Sequence, residues 1–101
     1  MGKDAYLWVY ILASRRNGTL YIGVTGDLHK RVTDHRDGRG SAFTRKYGVT
    51  RLVHVEGYSS ALDAIQREKR LKGWKRAWKL DLIEQGNPTW SDLWYDLPFD
   101  P

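Results

Sequence analysis

Five side chains of this sequence have the types and the spacing for chemistry on a phosphodiester. They are Tyr10, Tyr21, Arg31, His35 and Glu68. Each stands on or beside a position that the surrounding pattern assigns to an inward face, and polar residues in such places tend to lie at functional sites. Hydrolysis of a phosphodiester needs an activated water, a cation on the phosphate oxygens and assistance to the leaving oxygen.

These side chains meet the requirements together. Glu68 could hold one Mg²⁺ or Mn²⁺ ion, because such ions keep most of their waters and contact substrate oxygens directly. Arg31 offers the phosphate a planar guanidinium that is always charged. A tyrosine has a free pKa of about 10, which a nearby cation would lower toward the range of a general base. His35 could relay or orient the proton.

The tyrosines are positioned by a predicted β-hairpin. Two runs rich in β-branched and aromatic residues, Leu7–Ala13 and Thr19–Thr25, are separated by a short segment that contains Asn17-Gly18. Asn-Gly is typical of a two-residue type I′ turn, which places Arg16 opposite Thr19. In that register Tyr10 and Tyr21 share one face of the sheet, and Gly23 lies opposite Leu12.

Arg31 and His35 are positioned by a helix that Asp27 is predicted to cap and that ends at His35 or Arg36. Leu28 and Val32 form its apolar stripe, and helical spacing brings Arg31 and His35 to the same side. One further helical turn, residues 42–47, is predicted to end at Gly48.

The second half of the chain supplies Glu68. Residues 51–57 alternate as a third strand, with Leu52, His54 and Glu56 on one side. Ser59 or Ser60 then caps a helix whose inward stripe is Ala61, Ala64 or Ile65, Glu68 and Leu71. Gly73 interrupts this pattern, which continues in a second or kinked helix to Gln85, and Asn87-Pro88 is read as the start of a last short helix.

The elements predict an α+β domain with a small three-stranded antiparallel sheet flanked by helices, in the order β-β-α-β-α-α. The whole chain, residues 1–101, is expected to form one domain with a core from about 6 to 93 and a tail from 94 to 101.

Composition excludes several classes of protein. There is no cysteine, hence no disulfide, thiolate metal site or cysteine nucleophile, as expected for a cytoplasmic protein. No apolar run approaches the about 20 residues that span a bilayer, and the first ten residues lack a signal-peptide pattern. The net charge of +5 favours a polyanionic partner. Seven basic residues and one acid lie from Arg67 to Lys79, which predicts a surface that follows phosphates.

The motifs resemble those of GIY-YIG nucleases. Trp8-Val9-Tyr10 and Tyr21-Ile22-Gly23 are similar to the paired signature, with a degenerate first triplet. Arg31, His35 and Glu68 follow at the separations usual in the family. The segments 65–74 and 87–93 resemble the small standalone bacterial branch of the family.

The resemblance implies a DNA endonuclease with one divalent metal ion, Mg²⁺ or Mn²⁺, and a role for each matched residue. Tyr10 is then the general base or positions the water, with Tyr21 as its partner. Arg31 steadies the scissile phosphate, His35 assists proton transfer and Glu68 binds the metal. The expected substrate-binding residues are Gly23, Arg67, Lys69, Lys72, Lys75, Arg76 and Asn87.

Other interpretations of the same residues remain open. Glu68 could be an ordinary ion-pair partner of Lys72, and Asn87 could be only a helix cap. The protein could be a nucleic-acid-binding module of the same fold without activity, or a structural adaptor whose basic face meets an acidic protein. DNA repair is one pathway that such a nuclease could serve, on single-stranded or branched DNA.

Overall fold

The structure is a computed structural model that describes residues 7–97. Within this range, three strands, four helices and one 3₁₀ turn follow in chain order: β1 Leu7–Ala13, β2 Leu20–Thr25, α1 Leu28–Arg36, α2 Ala42–Tyr47, β3 Arg51–Tyr58, α3 Ala61–Gly73, α4 Arg76–Gly86 and the 3₁₀ turn Leu93–Asp96. The predicted α+β architecture is confirmed, and the short helix α2 is added to the predicted order.

The sheet is antiparallel with strand order β2-β1-β3, so β1 is central. Helices cover both of its faces, which is why β1 is buried on both sides from Trp8 to Ala13. Its even-numbered residues pack with Leu28 and Val32 of α1. Its odd-numbered residues pack on the opposite face with residues of α3 and α4. Burial of both layers supplies most of the stabilisation of such a small domain.

The predicted hairpin register was wrong by two residues. Thr19 lies opposite Ser14, whose backbone N–H donates to the Thr19 carbonyl at 3.0 Å, and not opposite Arg16. The loop has four residues, closed by a Gly18 to Arg15 backbone hydrogen bond of 2.9 Å, with Asn17 at φ 59°. Because side chains alternate with a period of two, a shift of two residues leaves every side chain on its predicted face.

The predicted alternation along β3 fails at its start. A β-bulge lies between the pairs Ile11–His54 and Leu12–Leu52, so Val53 is an extra residue without a partner on β1. Leu52 consequently packs on the α1 face, whereas Val53 packs on the α3 face. His54 pairs with Ile11 and therefore does not share the face of Leu52, as had been predicted.

The helix boundaries follow the predicted caps. Asp27 accepts a hydrogen bond from the Lys30 N–H at 3.1 Å and begins α1. Ser60 caps α3, whose buried residues are Ala64 and Leu71. The inward stripe of α3 is narrower than predicted, because Ala61 and Ile65 are exposed.

The predicted last helix does not begin at Asn87. Asn87 is buried after the end of α4, and its side chain donates to the Val53 and Ser91 carbonyls at 3.2 and 2.9 Å. The short helical segment begins after Asp92 instead and is a 3₁₀ turn. Trp94 and Leu97 pack on the core, so the folded part extends beyond residue 93. The predicted start of the core at residue 6 and the last four residues of the predicted tail, 98–101, lie outside the described residues.

Candidate active site

Tyr10 of the central strand reaches toward the edge strand by lying across Gly23. The two residues are directly paired, so Gly23 lies opposite Tyr10 and not, as predicted, opposite Leu12, which pairs with Tyr21. A Cβ at residue 23 would lie 2.5 Å from both Cζ and Oη of Tyr10, which is closer than atoms can approach. Any other residue at 23 would displace the tyrosine ring. The glycine thus gives Tyr10 its position.

The Tyr10 hydroxyl is joined to α1 and α2 by a chain of buried hydrogen bonds. Tyr10 Oη lies 3.2 Å from His35 Nε2, and His35 Nδ1 lies 3.0 Å from Thr44 Oγ1. Thr44 Oγ1 donates to the Ser41 carbonyl and accepts from the Ser41 N–H. With the threonine proton directed to the Ser41 carbonyl, Thr44 accepts from His35, which assigns the imidazole proton to Nδ1. Nε2 is then the acceptor for the Tyr10 hydroxyl.

Burial keeps both groups of this pair uncharged. It lowers the pKa of His35 below its usual 6.5, and the charge of Arg31 lowers it further. It raises the pKa of Tyr10 to about 12, and the neighbouring Tyr21 adds to that increase. Arg31 acts in the opposite direction, as expected from the sequence, but in the free protein its effect is smaller than that of burial. The proton therefore resides on Tyr10, with a neutral imidazole ready to receive it.

Arg31 presents its charge beside the two tyrosines. The hydroxyls of Tyr10 and Tyr21 interact with the guanidinium, although burial opposes them, and raise the pKa of Arg31. Among residues 7–97 no carboxylate lies within ion-pair distance of this guanidinium. The cation is therefore available for an anionic ligand such as a phosphate.

Tyr21 and Gly40 complete the walls around His35. The ring of Tyr21 lies 5.1 Å from the imidazole and 6.4 Å from the Tyr10 ring, measured between centroids. The backbone of Gly40 lies against the other part of the imidazole, where a side chain would overlap Nδ1. His35 is consequently held in one orientation, with 1% of its surface exposed.

Glu68 approaches this cluster from the opposite layer. Its helix, α3, packs on the far face of the sheet through Ala64 and Leu71. The carboxylate is near enough for its charge to raise the pKa of Tyr10, after the larger effects of burial and Tyr21. Glu68 also forms the ion pair with Lys72 that the sequence allowed, at 2.7 Å. Because the Lys72 side chain is 55% exposed, such a pair contributes only about 0.5 kcal/mol or less and is readily exchanged.

The donor set at Glu68 fits a magnesium-type ion. No group of three or more His, Cys, Asp or Glu residues that could hold a metal occurs in the described part of the chain. A single carboxylate beside a cleft is the usual protein contribution to a Mg²⁺ or Mn²⁺ site in which water and substrate phosphates supply the other ligands. The residues present do not fit a zinc site, which takes three or four protein ligands.

The basic residues predicted to bind substrate differ in whether they lie near the cluster or bond to other parts of the protein. Lys72 lies next to the cluster, through Glu68. Arg67 instead forms two hydrogen bonds of 2.9 Å with Glu56.

The other predicted substrate-binding residues are engaged elsewhere or exposed. Arg76 donates to the carbonyls of the hairpin loop, and the ammonium of Lys75 lies 4.9 Å from the ring of Trp78. Lys69 is exposed on α3, and Asn87 uses its amide within the buried turn described above. Substrate contacts by these residues remain predictions.

Thr44 and Gly40 are members of the site that the sequence did not reveal. The one available signal was Ser41-Ala-Phe-Thr44, a pattern in which both side chains bond to the opposite backbone N–H at a helix start. That signal indicates a helix cap and says nothing of contact with His35, which depends on how α1 and α2 pack.

The fold and this cluster define a class: an α+β domain in which tyrosine, histidine, arginine and glutamate side chains converge, as in phosphodiester hydrolases. Comparison with known proteins agrees. The family model described as the GIY-YIG catalytic domain matches residues 6–81.

Relatives and a solved structure extend the match. A UPF0213 protein of Staphylococcus saprophyticus is 33% identical over 79 residues, covering 78% of this chain and 95% of that protein. One from Natronomonas pharaonis is 37% identical over 83 residues, covering 82% and 94%. The solution NMR structure of a UPF0213 protein from Bacillus halodurans superposes with a TM-score of 0.55 at 30% identity, over 85% of this chain and 90% of that one.

The chain belongs to the GIY-YIG nuclease family and is similar over most of its length to small members that carry the UPF0213 name. Nucleases of this family generally depend on a divalent metal ion, and their substrates are nucleic acids. No helix within residues 7–97 has the length and apolarity to cross a membrane.

Proposed function

We propose that this protein is an active endonuclease that hydrolyses DNA phosphodiester bonds with one divalent metal ion. The observation that carries the proposal is the hydrogen bond between the Tyr10 hydroxyl and His35 Nε2, beside the Arg31 guanidinium, which has no carboxylate partner within residues 7–97. The cluster combines a prepared proton acceptor with an open site for a phosphate.

The arrangement accounts for the movement of the proton. As a water molecule attacks phosphorus, the Tyr10 oxygen takes a proton from it and passes its own proton to His35 Nε2. The attacking oxygen forms its bond to phosphorus while the bond to the leaving oxygen breaks. The leaving oxygen then takes a proton from solvent. His35 must be neutral at the start, and its lowered pKa ensures this at neutral pH.

Arg31 and Glu68 are assigned to the negative charge that develops on the phosphate. The Arg31 guanidinium would hold two phosphate oxygens and stabilise the charge that grows on them in the transition state. Glu68 would hold a Mg²⁺ or Mn²⁺ ion, which, when bound, supplies Lewis-acid polarisation of the phosphate. Lys72, released from Glu68, remains at the site as a second cation for the nucleic-acid backbone.

The proposal is tested by incubating the protein with end-labelled single-stranded, duplex and branched DNA, with and without Mn²⁺. The wild-type protein should cut in a metal-dependent manner, and Glu68→Ala should not. Asp81→Ala is the matched control, because it removes an exposed carboxylate from α4. Cleavage by Glu68→Ala would refute the metal assignment. Salt-sensitive binding without any product would instead identify an inactive binding module.

A further inference from the structure

The short helix α2 carries two exposed aromatic rings beside the candidate active site. Phe43 is 44% exposed and Tyr47 is 48% exposed. They are separated by one helical turn, and their ring centroids are 5.0 Å apart. The buried residue of this six-residue helix is Thr44, the partner of His35. α2 thus directs one hydroxyl inward and two aromatic rings outward.

The exposed rings are continuous with the catalytic cluster. The Phe43 centroid lies 6.4 Å from that of Tyr21, and Tyr21 in turn contacts His35. A groove of about 260 Å³ opens beside Phe43 along the edge strand. It is lined by Leu20, Tyr21, Ile22, Phe43, Lys72 and Lys79. An anionic chain with its phosphate at Arg31 would therefore have aromatic rings and ammonium groups beside it.

The charge of this surface fits a polyanion. The sequence contains no acidic residue between Asp37 and Glu56. Arg45 and Lys46 lie between the two aromatic residues of α2, and the Lys46 ammonium is 5.3 Å from the Tyr47 ring centroid. Exposed apolar rings surrounded by cations are the combination with which proteins hold unpaired nucleotides, because bases stack on the rings while cations contact phosphates.

The helix that carries the rings is capped at both ends. Ser41 and Thr44 form a reciprocal cap at the start of α2, and Gly48 ends the helix at φ 63°. The hydrogen bond from His35 to Thr44 ties the helix to the cluster. A base that stacks on Phe43 would therefore rest on a helix whose position relative to His35 is set by these contacts, which lowers the cost of ordering the binding surface.

We propose that Phe43 and Tyr47 form a stacking platform for unpaired nucleobases next to the phosphate that is cut. The inference rests on the proposed nuclease function and adds a substrate class to it: strands with unpaired nucleotides at the cleavage position. A base within a duplex has both faces covered by its neighbours and cannot use the platform unless it leaves the stack.

The test measures binding alone, so that it does not depend on activity. A fluorescent single-stranded oligonucleotide is titrated with the full chain in the presence of EDTA. Phe43→Leu, which keeps the apolar volume but removes the ring, should weaken binding about tenfold, and Tyr47→Leu should have a similar effect. Phe43→Trp should retain the affinity. Leu62→Ala is the control, because Leu62 is 64% exposed at the start of α3, away from the platform.

A second arm identifies what the ring contacts. Replacing single bases of the oligonucleotide by abasic positions, one at a time, should weaken wild-type binding at one or two adjacent positions and should no longer matter in Phe43→Leu. Equal binding by wild type and both leucine variants would overturn the stacking platform, whereas the proposal that the protein cleaves DNA would not be affected. A change in self-association by Phe43→Leu, without a change in oligonucleotide binding, would overturn it in favour of a protein interface.

Discussion

Two clusters of the molecule contain the same kinds of side chain and differ in what they leave unpaired. One is the candidate active site around Tyr10, Arg31 and His35. The other, which we call the Glu56 clasp, consists of Glu56 with His54, Tyr58 and Arg67 on β3 and α3. Each has a tyrosine, a histidine, an arginine and access to a glutamate. A list of residue types would not distinguish them.

The Glu56 clasp is closed. Its carboxylate accepts from Tyr58 at 2.7 Å, lies 2.8 Å from His54 and holds Arg67 through two bonds of 2.9 Å. Burial alone would raise the pKa of Glu56, but the hydrogen bonds from His54, Arg67 and Tyr58 lower it to about 2. The Arg67 guanidinium also lies 5.2 Å from the Trp74 ring. Every charge of this cluster has a partner inside it.

The active-site cluster is open by contrast. Its glutamate is directed to Lys72 and its arginine meets only hydroxyl groups, within the residues that the structure describes. Among the described residues, the charge of Arg31 therefore has no carboxylate partner, whereas that of Arg67 has one. The two clusters thus differ in the balance of charge and not in the kinds of residue, and an uncompensated charge is a feature expected of a functional site.

The largest contrast should appear between the two arginines. Arg31→Met should lower the rate of cleavage about a thousandfold with little change in melting temperature, because it removes a cation that acts on the phosphate. Arg67→Met should lower the free energy of unfolding by about 2 kcal/mol and leave the rate per folded molecule nearly unchanged. Single-turnover cleavage and urea unfolding of both variants measure this. A loss of stability in Arg31→Met together with a loss of cleavage in Arg67→Met would contradict the roles assigned to the two clusters.

The Glu56 clasp should also make the free energy of unfolding depend on pH. The pKa of Glu56 is lower in the folded chain than the usual 4.5, so its contribution is complete above pH 4.5 and is lost as the pH falls toward about 2. Wild type should therefore exceed Glu56→Gln in stability by about 2 kcal/mol at neutral pH. The difference should shrink between pH 4.5 and 2, as followed by urea unfolding at several pH values. A constant difference would mean that the carboxylate charge does not stabilise the clasp.

A smaller effect is expected at Thr44, which acts through His35. Thr44→Val removes the acceptor that holds the proton on Nδ1, and the cleavage rate should fall about tenfold. Thr44→Ser should retain the rate. Nitrogen NMR shifts of the His35 ring should show Nδ1 protonated in wild type and a mixture in the valine variant. An unchanged tautomer would reduce Thr44 to a helix cap.

The sequence predicted which side chains of the candidate active site lie together, because the error in the hairpin register preserved their common face. The Asn17-Gly18 pair suggested a two-residue turn, whereas Ser14 and Thr19 close a longer loop. The resulting shift was an even number of residues, so Tyr10 and Tyr21 kept a common face. An odd shift would have separated them. Helical spacing of Arg31 and His35 is set by local geometry and needed no tertiary information.

Contacts between distant segments could not be read in the same way. Arg67 belongs to a basic run that favours a phosphate surface, but its partner Glu56 lies on another element. The bulge at Val53 and the contact of Thr44 with His35 likewise depend on packing across the sheet and between helices. Asn87 was read as a helix cap because Asn-Pro is a local signal, and the strand carbonyl that it binds is 34 residues away.

The central claim is that the Tyr10 hydroxyl passes a proton in the hydrolysis of a phosphodiester. Single-turnover cleavage by Tyr10→Phe with saturating Mn²⁺ tests it most directly, with Tyr58→Phe of the Glu56 clasp as the matched control. The rate for Tyr10→Phe should fall at least about a hundredfold while Tyr58→Phe cuts at the wild-type rate. Cleavage by Tyr10→Phe at the wild-type rate would contradict the account.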